Sequence, residues 1–170
     1  MNFKSQICTS REQSQKLLEL GLKPETADMN YHHKNSRVPA LEWELQPHRP
    51  TTKKTTSMRI ERLNYGGLYK HKDGTLMSGE EVFEHIWGKD IPAWSLARLL
   101  EMIPMYLDVN IGMVADIEFF NDRGIFKILY TVHGYATIFG AESDNVYETM
   151  IKTIEWLIKS CYFTKEYLEV

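Results

Sequence analysis

The stretch from Glu142 to Cys161 constrains this chain more than any other. Val146, Tyr147, Met150, Ile151, Ile154, Leu157, Ile158 and Cys161 fall within an arc of roughly 140° at 3.6 residues per turn. That spacing predicts one long amphipathic helix. Ser143 or Asp144 is placed to cap its start, and Glu142 and Asp144 sit where the helix dipole favours negative charge. Trp156 breaks the pattern, lying off the arc near Thr149, Thr153 and Ser160. Either the aromatic tail (Tyr162, Phe163, Tyr167) folds back over it, or it belongs to a second contact face.

A helix with one apolar face must cover something, and the residues before it read as a sheet. Ala115–Phe120 is a strand, and Asn121-Asp122-Arg123-Gly124 a turn with glycine available for positive φ. Ile125–Val132 alternates between Phe126, Ile128, Tyr130, Val132 on one face and Ile125, Lys127, Leu129, Thr131 on the other. His133-Gly134 is a second turn and Tyr135–Phe139 a third strand. The expected fold class is therefore α+β: a small antiparallel β-meander (about 115–139) packed against a long C-terminal helix, with additional N-terminal and central helices.

The N-terminal helix is expected from about Ser10 to Leu20. Thr9 with Glu12, or Ser10 with Gln13, has capping-box spacing, and Gly21 with Leu22 offers a Schellman ending. Pro24 to Met29 adds one more turn, and Leu41, Trp43 and Leu45 alternate as a half-buried strand. Met58–Leu63 reads as a short strand, and Gly66–Gly67 and Asp73–Gly74 as turns. In the centre, Ser78 and Glu81 form a capping box, Met77 and Val82 a hydrophobic staple, and Gly88 a stop. A further helix is expected to start at Ile91–Pro92, bury Leu96, Leu99, Leu100 and Ile103, and end at Pro104. Trp94 lies off that stripe, one turn before Arg98, either as a cation–π pair with it or as a contact point.

A length of 170 residues suggests a single domain, 1–170. Cys8 and Cys161 are far apart and outside any metal or redox spacing, as in a reduced cytoplasm. No apolar run approaches the ~20 residues of a membrane span, so no membrane is expected.

Signatures of chemistry are absent. There is no HExxH, GxSxG, Walker A or GxGxxG, and no cofactor, metal or catalytic residue is assigned. Asp28 and His32 would share a face if the region were helical, beside His33, but no third ligand is placed by sequence. Asp116 and Glu118 alternate on one strand face and His133 stands at a strand end; a solvated face and an ordinary turn explain them as simply as a cleft does.

Charge is uneven. Residues 46–72 carry seven cations (Arg49, Lys53, Lys54, Arg59, Arg62, Lys70, Lys72) against Glu61, whereas residues 73–170 carry seven basic and sixteen acidic residues. The cations interleave with Tyr65 and Tyr69, a pattern that suits phosphate contact with aromatic stacking. A hydrated loop, or docking onto the acidic C-terminal half, explains the same charges. Within this region the proline-flanked, Thr-rich residues 46–57 read as an exposed or mobile loop.

Three motifs carry a resemblance. They are Ile7-Cys8-Thr9-Ser10-Arg11-Glu12-Gln13-Ser14 followed by Leu17 to Met29, Ile91 to Pro104, and Ile154-Glu155-Trp156-Leu157-Ile158 with Tyr162 to Leu168. With these the chain resembles a set of small proteins of prophages and other mobile elements of gut anaerobic bacteria. The resemblance implies a cytoplasmic accessory protein and brings no activity or catalytic residue with it. Trp94 and Trp156 both lie inside the matching motifs. The expectation is a non-enzymatic interaction module, binding a protein partner or a second copy through Trp94, Arg98 and Trp156. The alternatives are a nucleic-acid binder using residues 46–72 and an enzyme using His133, Asp116 or Glu118.

Overall fold

The computed structural model describes residues 6–34, 42–110, 112–132 and 136–169. His133, Gly134 and Tyr135, and with them the second meander turn and one candidate catalytic residue, lie outside the described residues, as do Pro39 and Leu41. The chain forms two compact units: residues 1–23 with 94–170, and residues 24–93, which are inserted between them in the sequence. The architecture is α+β, with four α-helices and two antiparallel sheets among the described residues.

The first unit is a meander with helices on one face. Its helix α1 is Arg11–Glu19, capped by Ser10, whose hydroxyl takes the Gln13 amide while the Gln13 side chain takes the Ser10 amide. The helix ends as expected: Gly21 (φ +90°) donates to the Leu18 carbonyl and Leu22 to that of Leu17, the two bonds of a Schellman motif.

The sheet of this unit has four strands, not three: Tyr106–Asn110, Met113–Asp122, Ile125–Val132 and Ala136–Ser143, each antiparallel to the next. We number them β4 to β7, after three strands of the inserted unit. Arg123 (φ +52°) and Gly124 (φ +90°) form the two-residue turn between β5 and β6, with both residues left-handed as a type I′ turn requires. Leu107, Ala115, Ile128, Tyr130, Val132 and Ala141 point inward and are buried. Burial pushes the Tyr130 phenol above its usual pKa, and its hydroxyl donates to the Pro104 carbonyl at 2.6 Å.

The long helix is α4, Val146–Lys159, and it starts later than the spacing suggested. Residues up to Ser143 belong to β7, and the cap is Asn145, whose side chain accepts from the amides of Tyr147 and Glu148. Its buried surface is wider than the apolar arc. Thr149 and Thr153 are buried too, because each hydroxyl returns to a carbonyl four residues back, and Thr149 also reaches the Phe126 carbonyl of β6. Beyond Ser160, Cys161 sits at φ +60° and completes a second Schellman ending, with Tyr162 donating to the Leu157 carbonyl at 2.8 Å. A β-carbon at a left-handed position is strained. Cys161→Gly is therefore expected to stabilise the protein by about 0.5–1 kcal/mol, net of the extra chain entropy of glycine. Urea titration checks this, and an unchanged or lowered midpoint would contradict it.

The helix α3 of this unit is Leu96–Met102, with Ser95 as its cap. The expected start at Ile91–Pro92 is corrected, because Ile91–Ala93 is a short strand of the inserted unit. There proline lies in an outer strand, where its missing N–H is tolerated.

The inserted unit has a three-stranded sheet ordered β2-β1-β3, from β1 (Met29–His33), β2 (Trp43–Gln46) and β3 (Ile91–Ala93). Its helix α2, Gly79–Trp87, carries the expected Ser78–Glu81 capping box. Residues 58–63 are not a strand: Ile60–Arg62 is a 3₁₀ turn packed on the start of α2. Among the described residues no helix is long and apolar enough to cross a membrane.

Candidate functional site

The tryptophans do not form a contact surface together. Trp94 is fully buried. Its amide donates to the Thr9 hydroxyl at 3.0 Å and its carbonyl accepts from the Thr9 amide at 2.9 Å, so this extended residue pairs with the N-terminal segment instead of opening α3. Arg98 lies over the Tyr167 ring at 5.6 Å and bonds Glu101. Trp156 is half-buried in an aromatic stack, 4.3 Å from Phe139 and 5.8 Å from both Tyr130 and Tyr162. Of the tail, Tyr162 stacks beside it, while Phe163 packs against Tyr167, and β7 supplies the closest ring.

The histidine cluster is also rearranged. Met29–His33 is a strand, so His32 and His33 point to opposite faces and no helical pair exists. His32 Nδ1 meets the buried Asp90 carboxylate at 2.9 Å, while His33 Nε2 meets Glu42 at 2.9 Å. Among the described residues no group of three or more potential ligands is close enough to hold a metal. Asp116 and Glu118 are exposed on the outer face of β5.

What the structure does build is a platform in the inserted unit, at residues 58–77. Its frame is the Asn64 side chain. The Asn64 amide donates to the carbonyls of Tyr69 (2.8 Å) and Met77 (2.7 Å), and its oxygen accepts from the Tyr69 amide at 3.0 Å. The outer arm closes on itself through Gly74 (φ +86°) and Asp73. The Thr75 hydroxyl and amide both donate to the Asp73 carboxylate and hold it below its usual pKa range. At the base, α2 begins with Gly79 because nothing larger fits: a β-carbon there would lie 1.8 Å from the Ile60 carbonyl oxygen.

This frame displays apolar side chains instead of hiding them. Tyr65 is 93% and Leu68 86% exposed, and Met58 and Leu76 are largely exposed as well. Met58, Arg62 and Tyr65 line an open hollow of about 430 Å³, and Lys70, His71, Lys72, Asp73, Thr75 and Met77 line another of about 750 Å³.

The chain matches no family model, no curated protein and no solved structure.

The basic candidates divide into two groups. Lys53 bonds Glu80 at 2.6 Å and Glu84 at 3.5 Å, and the Glu80 bond holds its ammonium above the usual pKa. Lys54 pairs with Glu25 at 3.6 Å. Both are thus occupied within their own unit, beside the Thr52–Thr55 turn that the two hydroxyls close reciprocally. Arg49, Arg59, Arg62, Lys70 and Lys72 are exposed and pair with no carboxylate among the described residues. Four of these five stand on the platform. Tyr69 does not join Tyr65 there, since its ring packs edge-on against His85 at 5.9 Å. Sequence alone found the cations and Tyr65. It missed Leu68, Met58 and Leu76, although Leu68 directly after Gly66–Gly67 was a signal for an apolar residue at a turn tip.

Proposed function

We propose that this chain is a non-enzymatic interaction module and that the 58–77 platform binds an acidic protein partner. The observation that carries this is the exposure of Tyr65 and Leu68, on a hydrogen-bonded frame, among cations that pair with no carboxylate among the described residues. Large apolar side chains gain about 1.5–3 kcal/mol each when buried, so holding them in water is costly until something covers them. Tyrosine, arginine and methionine are residue types enriched where proteins meet, and a prearranged frame lowers the ordering cost of binding. The setting proposed is that of a cytoplasmic accessory protein of a phage or mobile element, and it rests on the motif resemblance.

The test uses the whole chain as bait. Tyr65→Ala/Leu68→Ala is expected to weaken capture of a partner at least tenfold, with the melting curve unchanged. Capture that is insensitive to both truncations would overturn the reading. A second reading keeps the cations and Tyr65 but makes the partner a nucleic acid. Met58, Leu68 and Leu76 contribute little to phosphate contact, which favours protein. A gel shift that weakens with salt and disappears in Arg62→Glu/Lys72→Glu would reassign the platform to nucleic acid.

A further inference from the structure

The outer face of the four-stranded sheet is unusual for a solvated face. Alternation and register put Tyr106, Val114, Phe120, Ile125 and Leu129 on it, opposite the buried side. Tyr106 is 63% exposed, and Val114, Phe120 and Ile125 are exposed too. Between them stand Asp108, Asp116, Glu118, Asp122 and Glu142, all exposed. Lys127 is the one lysine on this face among the described residues, and it lies between Asp122 (4.0 Å) and Glu142 (3.4 Å). An apolar patch with a charged surround is the composition of a binding face.

Five carboxylates make the face repel its own copy, so two sheets do not meet face to face. The platform has the complementary properties: opposite net charge, from Arg59, Arg62, Lys70 and Lys72 against Glu61 and Asp73, and exposed apolar groups of its own. We propose that the partner of the platform is a second copy of this chain, docked through the outer sheet face between β4 and β7. This rests on the platform reading and names its occupant.

Area sets the expected form. Four strands about 4.8 Å apart and about eight residues long present roughly 500 Å². One such contact lies below the roughly 800 Å² per partner of a stable complex, whereas two reciprocal contacts in a closed pair reach it. The contact is therefore expected to be reciprocal, and salt-sensitive because its charges are solvated in the free chain.

Light scattering on the full chain at about 50 mM and about 500 mM salt tests this, since the Debye length falls severalfold across that range. The wild type is expected to double its mass at low salt and to halve it at high salt. Arg62→Glu/Lys72→Glu and Asp116→Lys/Glu118→Lys are each expected to stay single, and an equimolar mixture of the two to pair. That pairing also shows that both variants are folded. A wild type that stays single at low salt, or a pair indifferent to either reversal, overturns the inference. If the chain stays single and Tyr65→Ala/Leu68→Ala abolishes capture of a foreign protein, the platform reading survives and only the second copy is rejected. If the chain stays single and the truncations change nothing, both fall.

Discussion

Trp94→Ala is expected to cost about 3–5 kcal/mol, the range for emptying a fully buried large aromatic site. In a chain of this size that lowers the melting temperature by roughly 6–20 °C. The indole is fully buried, and the residue's backbone is tied on both sides to Thr9, which is itself buried and bonded to the Ser14 hydroxyl at 2.8 Å. The cavity therefore opens beside a buried polar pair, Thr9 and Ser14. Trp156→Ala is expected to cost less, about half as much, because that ring is only half-buried and its stack with Phe139 and Tyr162 can close up. Thermal and urea unfolding of the two variants decide the matter. A Trp94→Ala variant within about 1 kcal/mol of wild type would contradict the burial described here.

The second large effect is expected at Asp90. Its side chain is 3% exposed and accepts from three groups: Asn30 Nδ2 at 2.9 Å, His32 Nδ1 at 2.9 Å and the His33 amide at 3.1 Å. One carboxylate thus holds two side chains of one face of β1, Asn30 and His32, and the strand's backbone at His33. Asp90→Ala strands all three donors. Asn30 is least able to compensate, since its Oδ1 is already buried without a partner. Removing a buried carboxylate from the donors it serves costs about 3–5 kcal/mol. Because the loss falls on the inserted unit, hydrogen exchange is the sharper measurement. Amides of Met29–His33 are expected to lose protection while those of α4 keep theirs. Uniform loss, or none, would show that Asp90 does not anchor this sheet.

The elements legible in the sequence were those written in local chemistry. Ser10–Gln13 and Ser78–Glu81 are capping boxes because the donor and acceptor are three residues apart, and nothing distant alters that. The hairpin at Arg123-Gly124 and the stop at Gly21 are likewise set by φ alone. Misreadings arose where a distant segment decided. Pro92 has the right spacing to begin a helix, but pairing with Asn30 makes it a strand and leaves Ser95 to cap α3. Trp94 falls off the apolar stripe, one turn before Arg98, only when its angle is reckoned on a helix to which it does not belong. Strand β4 was not anticipated, since Leu107 is its sole buried residue and one inward side chain makes no period. The platform was half legible: charge can be counted, whereas the exposure of Leu68 depends on the Asn64 frame 13 residues wide.

The insertion of residues 24–93 within the first unit also sets an order of events during synthesis. The N-terminal segment cannot finish folding until Trp94 has emerged, because Thr9 pairs with a residue 85 positions later. Closing a loop of that length costs roughly 4 kcal/mol of chain entropy. Prior folding of the inserted unit reduces this, since β1 and β3 set Met29 opposite Ala93. The remaining loop is then roughly 20 residues, and its closure is cheaper by about 1 kcal/mol. The pairing of Met29 with Ala93 thus acts as a splint for the ribosome's product. A variant that weakens β3 is expected to slow the assembly of a unit to which β3 does not belong.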